Sequence, residues 1–245
     1  MIPPPATRDL IVKCAGPEPA TLDLDGSWSA GRVRLRFAPL EELHHLETEF
    51  LGTLDAGERA RAQRFRFAAD RSRFILAHGW LRMWLAERLG ADPAGIMIKR
   101  GPFGKPFVEH PTLQFNLSDT KDAVLLAMTD GPAIGADVET MTRRVDHAAV
   151  SAHYFTARED AGIGMAADPK RRFLELWTRK EAVLKASGVG IMDDLHVLQV
   201  DQPVNHCVID HPEFVRHAAP AYDVHTWHIH AGHIVSLAVA KDHPR

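Results

Sequence analysis

The hydrophobic positions of the chain follow two different periods. Over residues 55–89, apolar side chains recur at the spacing of a helix, with Asp70 as a predicted N-cap of a second helix that stops at Gly90. Short alternating or apolar runs follow, which predict strands. The strands predicted up to this point cover residues 32–38, 96–98, 113–117 and 123–128, and the last ends at the turn signal of Asp130, Gly131 and Pro132.

The rest of the chain repeats this order of elements. A strand is predicted at 134–139, helices near 147–153 and at 171–185, and strands at 195–200, 224–229 and 234–240. Helices followed by antiparallel strands, occurring twice, predict an α+β fold rather than a doubly wound parallel sheet. Residues 1–31 are rich in proline, glycine and small polar residues, which predicts a loose lead-in.

The predicted strand at 134–139 carries two acids on one face. Apolar Ile134, Ala136 and Val138 alternate with Gly135 and the acids, so Asp137 and Glu139 project together. Two neighbouring carboxylates repel, which raises a pKa or requires a cation, and hard oxygen ligands suit Mg²⁺. A third acid would complete such a site. The alternative is a solvated face of a sheet.

The predicted helix at 171–185 places charged residues beside a buried stripe. Glu181 and Lys185 are one turn apart and reach one point on the helix surface. Lys180 falls within the apolar arc, where an ammonium needs a partner, a ligand or a route to solvent. The alternative for Glu181 and Lys185 is a weak surface ion pair. The apolar arc consists of Phe173, Leu176, Trp177, Val183 and Leu184.

Composition narrows the class of protein. The chain has 245 residues, of which 25% are charged, as in ordinary globular proteins. Its net charge of −3 argues against a general polyanion binder, so no nucleic-acid partner is expected. Cys14 and Cys207 are the two cysteines, too few for a disulfide framework. The sequence shows neither a signal peptide nor an apolar run that could span a bilayer, which predicts a cytoplasmic protein without a membrane partner.

Four ordered motifs resemble one enzyme family. The chain is similar to 4′-phosphopantetheinyl transferases of the surfactin-synthetase type, whose signatures are Gly-x-Asp-x-Glu and Trp-[Ser/Thr]-x-Lys-Glu-[Ala/Ser]-x-x-Lys. The similarity covers roughly residues 50–240. The matching residues are Gly135, Asp137 and Glu139 for the first signature; Trp177, Thr178, Lys180, Glu181, Ala182 and Lys185 for the second; then Gly104, Lys105 and Pro106, and Phe115, Asn116, Leu117 and Ser118.

The resemblance implies a fold and a reaction. It implies two structurally similar halves related by a pseudo-twofold axis, 32–132 and 133–245, each with helices on a small antiparallel sheet and with the active site between them. Mg²⁺ would be held by Asp137, Glu139 and Glu181 and bridged to coenzyme A. The phosphopantetheine group would pass to a serine of an acyl or peptidyl carrier protein. Glu181 would be the base, directly or through a metal-bound water, and Lys185 would stabilise charge on the phosphoryl oxygens. A monomer is expected.

Coenzyme A carries a 3′-phosphate and a diphosphate, which arginine and lysine recognise well. Residues 54–73 contain six arginines against three acids. The resemblance implies that Arg61, Arg64 and Arg73 meet the 3′-phosphate, and that Lys105 and Ser118 also contact the coenzyme, as does Lys185. Without the resemblance, the arginine-rich stretch would be a solvated helix face.

Two positions leave alternatives open. The family commonly has histidine where this chain has Asp119, and a carboxylate repels a diphosphate. Either Asp119 turns away and another cation substitutes, or it contacts the metal indirectly, or coenzyme binding is weakened. Glu159 is a second candidate base, with an exposed helix acid as the alternative.

Other functions stay open on the sequence alone. The three carboxylates would also serve a metal-dependent hydrolase of coenzyme A or of another nucleotide diphosphate, and Asp119 could mark a binding protein that has lost turnover. Four histidines near the end resemble zinc ligands but lack a spaced partner pair, so zinc is not expected. They are His225, His228, His230 and His233. Motifs do not specify whether fatty-acid, polyketide or nonribosomal-peptide synthesis is served.

Overall fold

The structure is a computed structural model that describes residues 7–20, 23–28, 31–190, 195–229 and 232–242. The first part of the chain contains β1 (Arg8–Ala20), β2 (Asp23–Trp28), β3 (Gly31–Pro39), α1 (Leu40–Leu43), α2 (Glu47–Thr53), α3 (Ala56–Gln63) and α4 (Ala68–Leu89), then β4 (Lys99–Arg100), β5 (Pro106–Phe107), β6 (Leu113–Asp119) and β7 (Ala123–Asp130). The second part contains β8 (Ile134–Thr140), α5 (His147–Tyr154), α6 (Ala157–Gly164), α7 (Pro169–Ser187), β9 (Val204–Ile209), α8 (Pro212–His217), β10 (Ala221–Ile229) and β11 (His233–Lys241).

The first half is built on an antiparallel sheet with the strand order β2-β3-β7-β6. Helix α4 packs on it and buries a continuous cluster that includes Trp84, Leu85, Phe115 and Leu126. The helix ends at Gly90, whose φ of 62° provides the left-handed C-cap that a glycine adopts readily. In the described part of the chain, none of the helices is both long enough and apolar enough to cross a bilayer.

The second half is built on a sheet with the order β8-β11-β10-β1-β9. Helix α7 packs on β8 and β11. Its apolar side chains, among them Phe173 and Val183, lie in a separate core cluster that also contains Leu10 and Ile234. Strands β8, β11 and β10 are antiparallel, whereas β1 lies parallel to β10. The sheet of this half is therefore mixed, and the prediction of an antiparallel sheet is wrong for it.

The two sheets face each other through a third apolar cluster. Alternate side chains of β3 and β7 point into it from one sheet, and those of β8, β10 and β11 point into it from the other. The layers therefore run helix, sheet, sheet, helix. The cluster consists of Val33, Leu35, Phe37, Ala123, Leu125, Ala127, Ile134, Ala136, Val138, Trp227, Ile229, Val235, Leu237 and Val239.

The α+β prediction is confirmed, with small sheets and packed helices in each half. Each half also runs from one strand through helices, including one long helix, to a later hairpin whose second strand pairs with the first strand. The pseudo-twofold axis and the boundaries at 32–132 and 133–245 stay predictions.

The loose lead-in predicted for residues 1–31 is wrong where the structure describes it. Strand β1 lies between β10 and β9 in the second sheet, and its Leu10 and Val12 are buried. The composition of this segment favours a loop, but backbone hydrogen bonds to β9 and β10, about 200 residues away in sequence, hold it as a strand. Residues 1–6, 21–22 and 29–30 lie outside the described residues.

Three local predictions are corrected. Asp70 does not cap α4, since Phe67 is the N-cap and Asp70 lies in the first turn. Residues 96–98 are not a strand and instead follow a 3-10 turn (Pro93–Gly95). Residues 195–200 are also not a strand and contain a 3-10 turn (Leu195–Val197). Leu195 and Leu198 are both fully buried, and their spacing of three residues matches the three residues per turn of a 3-10 helix.

Helix α7 and strand β8 approach each other very closely at Gly135. A Cβ atom at this position would lie 2.2 Å from both the Ala182 carbonyl oxygen and the Ala186 amide nitrogen. The backbone of the helix therefore rests directly on the backbone of the strand, which only a residue without a side chain permits. This contact places the acids of β8 beside the exposed edge of α7.

Replacing Gly135 by alanine is expected to lower the free energy of unfolding by about 3 kcal/mol or more. The added methyl group would clash with backbone atoms of α7, which cannot move aside by a side-chain rotation. Urea denaturation at equilibrium measures the change. Gly162→Ala in α6 is the matched control, because nothing lies within 4 Å of its added methyl group. That control should be neutral or stabilising by up to about 1 kcal/mol. Equal responses of the two variants would contradict the close approach.

Candidate active site

Strand β8 and helix α7 bring Asp137, Glu139, Glu181 and Lys185 to one cavity. The Lys185 ammonium donates to Asp137 Oδ1 at 2.5 Å and to Ser118 Oγ at 2.9 Å. Ser118 Oγ in turn donates to Asp137 Oδ1 at 2.8 Å. The first acid of the pair is therefore held by a cation and a hydroxyl, one from each half of the chain.

The other two carboxyl groups are less well satisfied. Burial and the neighbouring Asp137 carboxylate raise the pKa of Glu139 to about 7, although Arg143 forms an ion pair with it and opposes the rise. The same two causes raise the pKa of Glu181 to about 7. Glu181 Oε1 is buried and has no hydrogen-bond partner among the described residues. Such an oxygen requires a proton or a cation that the described side chains do not supply.

The cavity around these acids measures about 740 Å³. Its walls come from the end of β6 and the loop after it, from β8 and the following loop, and from α7. The lining residues are Leu117, Ser118, Asp119, Thr120, Lys121, Asp137, Val138, Glu139, Thr140, Thr142, Arg143, Arg144, Trp177, Glu181 and Lys185. All four sequence-predicted catalytic and metal residues thus line one space.

The donor set fits a hard divalent cation. Asp137, Glu139 and Glu181 offer carboxylate oxygens, and the unpartnered oxygen of Glu181 has the chemistry that Mg²⁺ accepts. The described residues do not form a preassembled cage of three ligating acids, histidines or cysteines. Lys185 and Arg143 instead occupy oxygens of Asp137 and Glu139. A site of this kind agrees with Mg²⁺, which commonly takes one or two carboxylates together with water and phosphate oxygens.

A second groove of about 430 Å³ adjoins the cavity and shares Leu117 and Asp119 with it. Arg61 and Arg64 line it, together with Arg100 and His78, which sequence reasoning missed. Contact of the two arginines with a 3′-phosphate stays a prediction. The groove residues named here come from α3 and its C-cap, from α4, from β4 and from β6, so no short motif could have united them. Three acids, Asp55, Glu58 and Asp119, line the same groove as the arginines.

Arg73 lies outside this groove and forms an ion pair with Asp119, at 3.1 Å between Nε and Oδ2. The guanidinium also lies 3.3 Å from Asp70. Burial raises the pKa of Asp119, and Arg73 is the first of the cations that oppose this. Asp119 thus has a cation partner, and it lines both recesses. The three alternatives for its role stay predictions. The contact of Arg73 with a coenzyme stays a prediction.

Lys105 is placed differently from what its motif suggests. Its Nζ donates to the carbonyl oxygens of Ile134 at 3.0 Å and Ala186 at 3.2 Å, and burial lowers its pKa to about 8. The ammonium thus joins the loop before β5 to the start of β8 and the end of α7. Lys105 lines neither the acidic cavity nor the adjoining groove, and its contact with a nucleotide stays a prediction.

Glu159 is not a base at this site. Its carboxylate is buried and pairs with Lys180 at 3.0 Å, with both side chains fully inaccessible. It also accepts from the amide groups of Thr156 and Val200. The exposed-acid alternative is equally wrong. Lys180 thereby finds the partner that its place in the apolar arc demands, and also donates to the carbonyl oxygens of Tyr154 and Leu195.

The terminal histidines are placed on separate partners. His228 Nε2 lies 3.0 Å from Glu175, and His233 Nε2 lies 3.2 Å from Asp122. His230 lies outside the described residues. The expectation that zinc is absent stays a prediction.

Sequence reasoning missed the basic end of the cavity. Lys121, Arg143 and Arg144 line it but lie on loops that carry no periodic signal. Arg143 additionally stacks on Trp177, with 5.9 Å between its guanidinium carbon and the ring centroid. A cation four residues after Glu139 is the one feature of the sequence that could have suggested the ion pair.

Comparison with protein-family models agrees with this geometry. Residues 133–238 match the model described as the 4′-phosphopantetheinyl transferase superfamily. Residues 43–130 match the model described as 4′-phosphopantetheinyl transferase, N-terminal. The boundary between the two matches falls in the turn between β7 and β8.

Curated proteins similar to this chain are also named phosphopantetheinyl transferases. A phosphopantetheinyl transferase of Thraustochytrium sp. is 35% identical over 56% of this chain and 55% of its own length. The 4′-phosphopantetheinyl transferase HetI of Nostoc sp. is 32% identical over 71% of this chain and 75% of its own. A 4′-phosphopantetheinyl transferase of Bacillus subtilis is 28% identical over 81% and 86%. The chain therefore belongs to the 4′-phosphopantetheinyl transferase superfamily, although its match spans only about half the length of the first of these relatives.

The raised carboxyl pKa values predict how stability varies with pH. In the metal-free protein, the contribution of Glu139 and Glu181 to the free energy of unfolding should fall as pH rises from about 4.5 to about 7. Both groups have a higher pKa when folded, so the folded state binds more protons in this window and deprotonation destabilises it. One pKa unit corresponds to about 1.4 kcal/mol, so the loss is of the order of a few kcal/mol.

Urea denaturation at several pH values isolates this effect as a difference between variants. Glu181→Gln should lose less stability than the wild type across the window, since its side chain cannot ionise. Glu49→Gln on exposed α2 is the matched control and should follow the wild type. Identical pH dependence in the wild type and Glu181→Gln would show that Glu181 is not held protonated by its surroundings.

Proposed function

We propose that the protein transfers the 4′-phosphopantetheine group from coenzyme A to a serine of an acyl or peptidyl carrier protein. The observation that carries the proposal is the junction of two sites. An acidic cavity holding Glu181, Glu139 and Lys185 continues into a groove lined by Arg61 and Arg64. A diphosphate could therefore meet the acids while the nucleotide end of the same molecule meets the arginines. Membership of the superfamily supports the same reaction.

Asp137, Glu139 and Glu181 are the residues that would hold Mg²⁺. When bound, Mg²⁺ would neutralise the charge of the diphosphate and orient its phosphorus for attack. Its binding would also remove the mutual repulsion that raises the pKa of Glu139 and Glu181. Magnesium dependence and coenzyme A as co-substrate are both part of the proposal.

The remaining chemistry falls to side chains of the cavity. Glu181 accepts the proton of the carrier serine as the general base. The serine oxygen then bonds to the phosphorus next to the pantetheine, the bond to the second phosphate breaks, and 3′,5′-ADP leaves. Lys185, already at Asp137 and Ser118, stabilises the charge on the transferring phosphoryl oxygens.

The basic groove is the proposed place of the nucleotide. Arginine binds phosphate through a planar fork, and Arg61 and Arg64 present two such groups from adjacent turns of the α3 region. The start of α3 is held by the fully buried Arg82. Its Nη2 lies 2.5 Å from Asp55 Oδ2, and its Nε lies 2.5 Å from Glu58 Oε2. These two acids also form the capping box of α3, so the arginines stand on a fixed support.

Intact-mass analysis tests the transfer itself. An apo acyl carrier protein incubated with this protein, Mg²⁺ and coenzyme A is expected to gain the mass of one phosphopantetheine group. Glu181→Ala should reduce the rate by at least about a hundredfold, because it removes the proposed base and a metal oxygen. Glu49→Ala, an exposed acid of α2, should react like the wild type.

The outcomes of this experiment separate the possible functions. No mass gain with several carrier proteins would overturn the transferase. Breakdown of coenzyme A that needs no carrier would favour a metal-dependent hydrolase, and binding of coenzyme A without either reaction would favour a silent binding protein.

The placement of the nucleotide is tested by removing one phosphate from the substrate. Arg61→Ala and Arg64→Ala are expected to raise the KM for coenzyme A by about tenfold, since a charge-assisted contact is worth about 1.4 kcal/mol or more. The same variants should change the KM for 3′-dephospho-coenzyme A much less. Steady-state kinetics with the two substrates measures the difference.

Arg59→Ala provides the control for charge, because Arg59 belongs to the same helix but does not line the groove. An equal loss with both substrates in the groove variants would mean that Arg61 and Arg64 do not recognise the 3′-phosphate.

A further inference from the structure

The strand that carries the acids lies at the edge of its sheet. Strand β8 pairs with β11 on one side, and its other side has no strand partner in the order β8-β11-β10-β1-β9. All seven residues of β8 are nevertheless buried. The outward amide and carbonyl groups of such an edge cannot reach water, so each needs another partner.

Side chains of the first half supply these partners. The Ala136 amide donates to Asn116 Oδ1 at 2.9 Å, and the Val138 amide donates to Ser118 Oγ at 3.3 Å. The carbonyl oxygen of Ile134 accepts from Lys105. The three bonded positions of β8 are two residues apart, which is the spacing at which groups of a strand point to the same edge.

Asn116 and Ser118 have the same spacing on β6, itself the edge strand of the other sheet. Both side chains are buried. The side chain of Phe115 points to the other face of the sheet, where it packs in the core cluster beneath α4. Two side chains of β6 therefore accept the hydrogen bonds that the backbone of a neighbouring strand would otherwise accept from β8. Ser118 also donates to the carboxylate of Asp137, whereas Asn116 Oδ1 accepts from a backbone amide group.

We propose that Asn116 is a positioning residue, which fixes the edge of β8 through the Ala136 amide and thereby sets where Asp137 and Glu139 stand. Ala136 directly precedes Asp137, so a shift of its peptide group moves the carboxylate that Lys185 and Ser118 hold. Asn116 itself lines neither the acidic cavity nor the adjoining groove. The part of the proposal that concerns metal binding rests on the proposed function.

Asn116→Leu tests this, because leucine is similar in size but cannot accept the Ala136 amide hydrogen. The variant should bind Mn²⁺, measured by electron paramagnetic resonance of the free ion, about tenfold more weakly than the wild type. Its affinity for 3′,5′-ADP, which probes the arginine groove, should stay within about twofold, since that groove does not depend on β8. Hydrogen exchange of the Ala136 amide should accelerate at least about tenfold.

Two further variants keep the test decisive. Asn116→Asp retains an acceptor oxygen and should restore slow exchange of the Ala136 amide. Gln114→Leu removes an amide from the same strand, two residues earlier, and should leave both Mn²⁺ affinity and exchange unchanged.

The results distinguish the failure of the inference from that of the proposed function. If Asn116→Leu binds Mn²⁺ as tightly as the wild type, or if its Ala136 amide stays protected, the positioning role is wrong. If the wild type binds no Mn²⁺ and transfers nothing, the proposed function is wrong, and exchange of the Ala136 amide alone then decides for or against the role of Asn116. A merely structural role would lower the melting temperature of Asn116→Leu but leave the Mn²⁺ affinity of the folded molecules intact.

Discussion

The close approach of α7 to β8 at Gly135 is the constraint on which the site depends. With backbone resting on backbone, the strand positions after Gly135 and the exposed edge of the last turns of α7 face one cavity. A larger residue at 135 would separate these elements, and Glu181 and Lys185 could no longer reach the acids of β8. The glycine of the Gly-x-Asp-x-Glu pattern is therefore required for steric reasons, whereas the two acids matter for their charge.

The electrostatics of the site are unbalanced in a way that suits a cation. Three carboxyl groups share a partly buried space with Lys185 and Arg143, yet two of them keep a pKa of about 7. The described protein groups therefore leave the negative charge incompletely compensated. By contrast, Glu159 of α6 and Lys180 of α7 form a fully buried ion pair, and both side chains make further hydrogen bonds to backbone groups. The difference separates an acid that supports the fold from acids that are available for chemistry.

Much of this could be predicted from sequence, and the failures have physical causes. The strand at 134–139 and the helix at 171–185 have clear periods, so their type and the face carrying the acids followed from pattern alone. Strand β1 was missed because its stability comes from partners far away in sequence. Arg143, Arg100 and His78 were missed because they meet the site from separate loops, strands and helices. Lys105 and Asn116 were noticed as motif residues, but their bonds to the edge of β8 require the three-dimensional structure.

The two halves contribute different parts of one site. The second half carries the acids and Lys185, whereas the first half carries the arginine groove and the side chains that satisfy the edge of β8. The edge strands β6 and β8 lie next to each other where the halves meet. Without Asn116 and Ser118, the buried edge of β8 would leave backbone amide groups unsatisfied in an apolar interior. Burial of that interface and satisfaction of its polar groups are thus one requirement. Because the acids stand on the strand that meets this requirement, the geometry of the cavity is determined at the junction of the halves rather than within either of them.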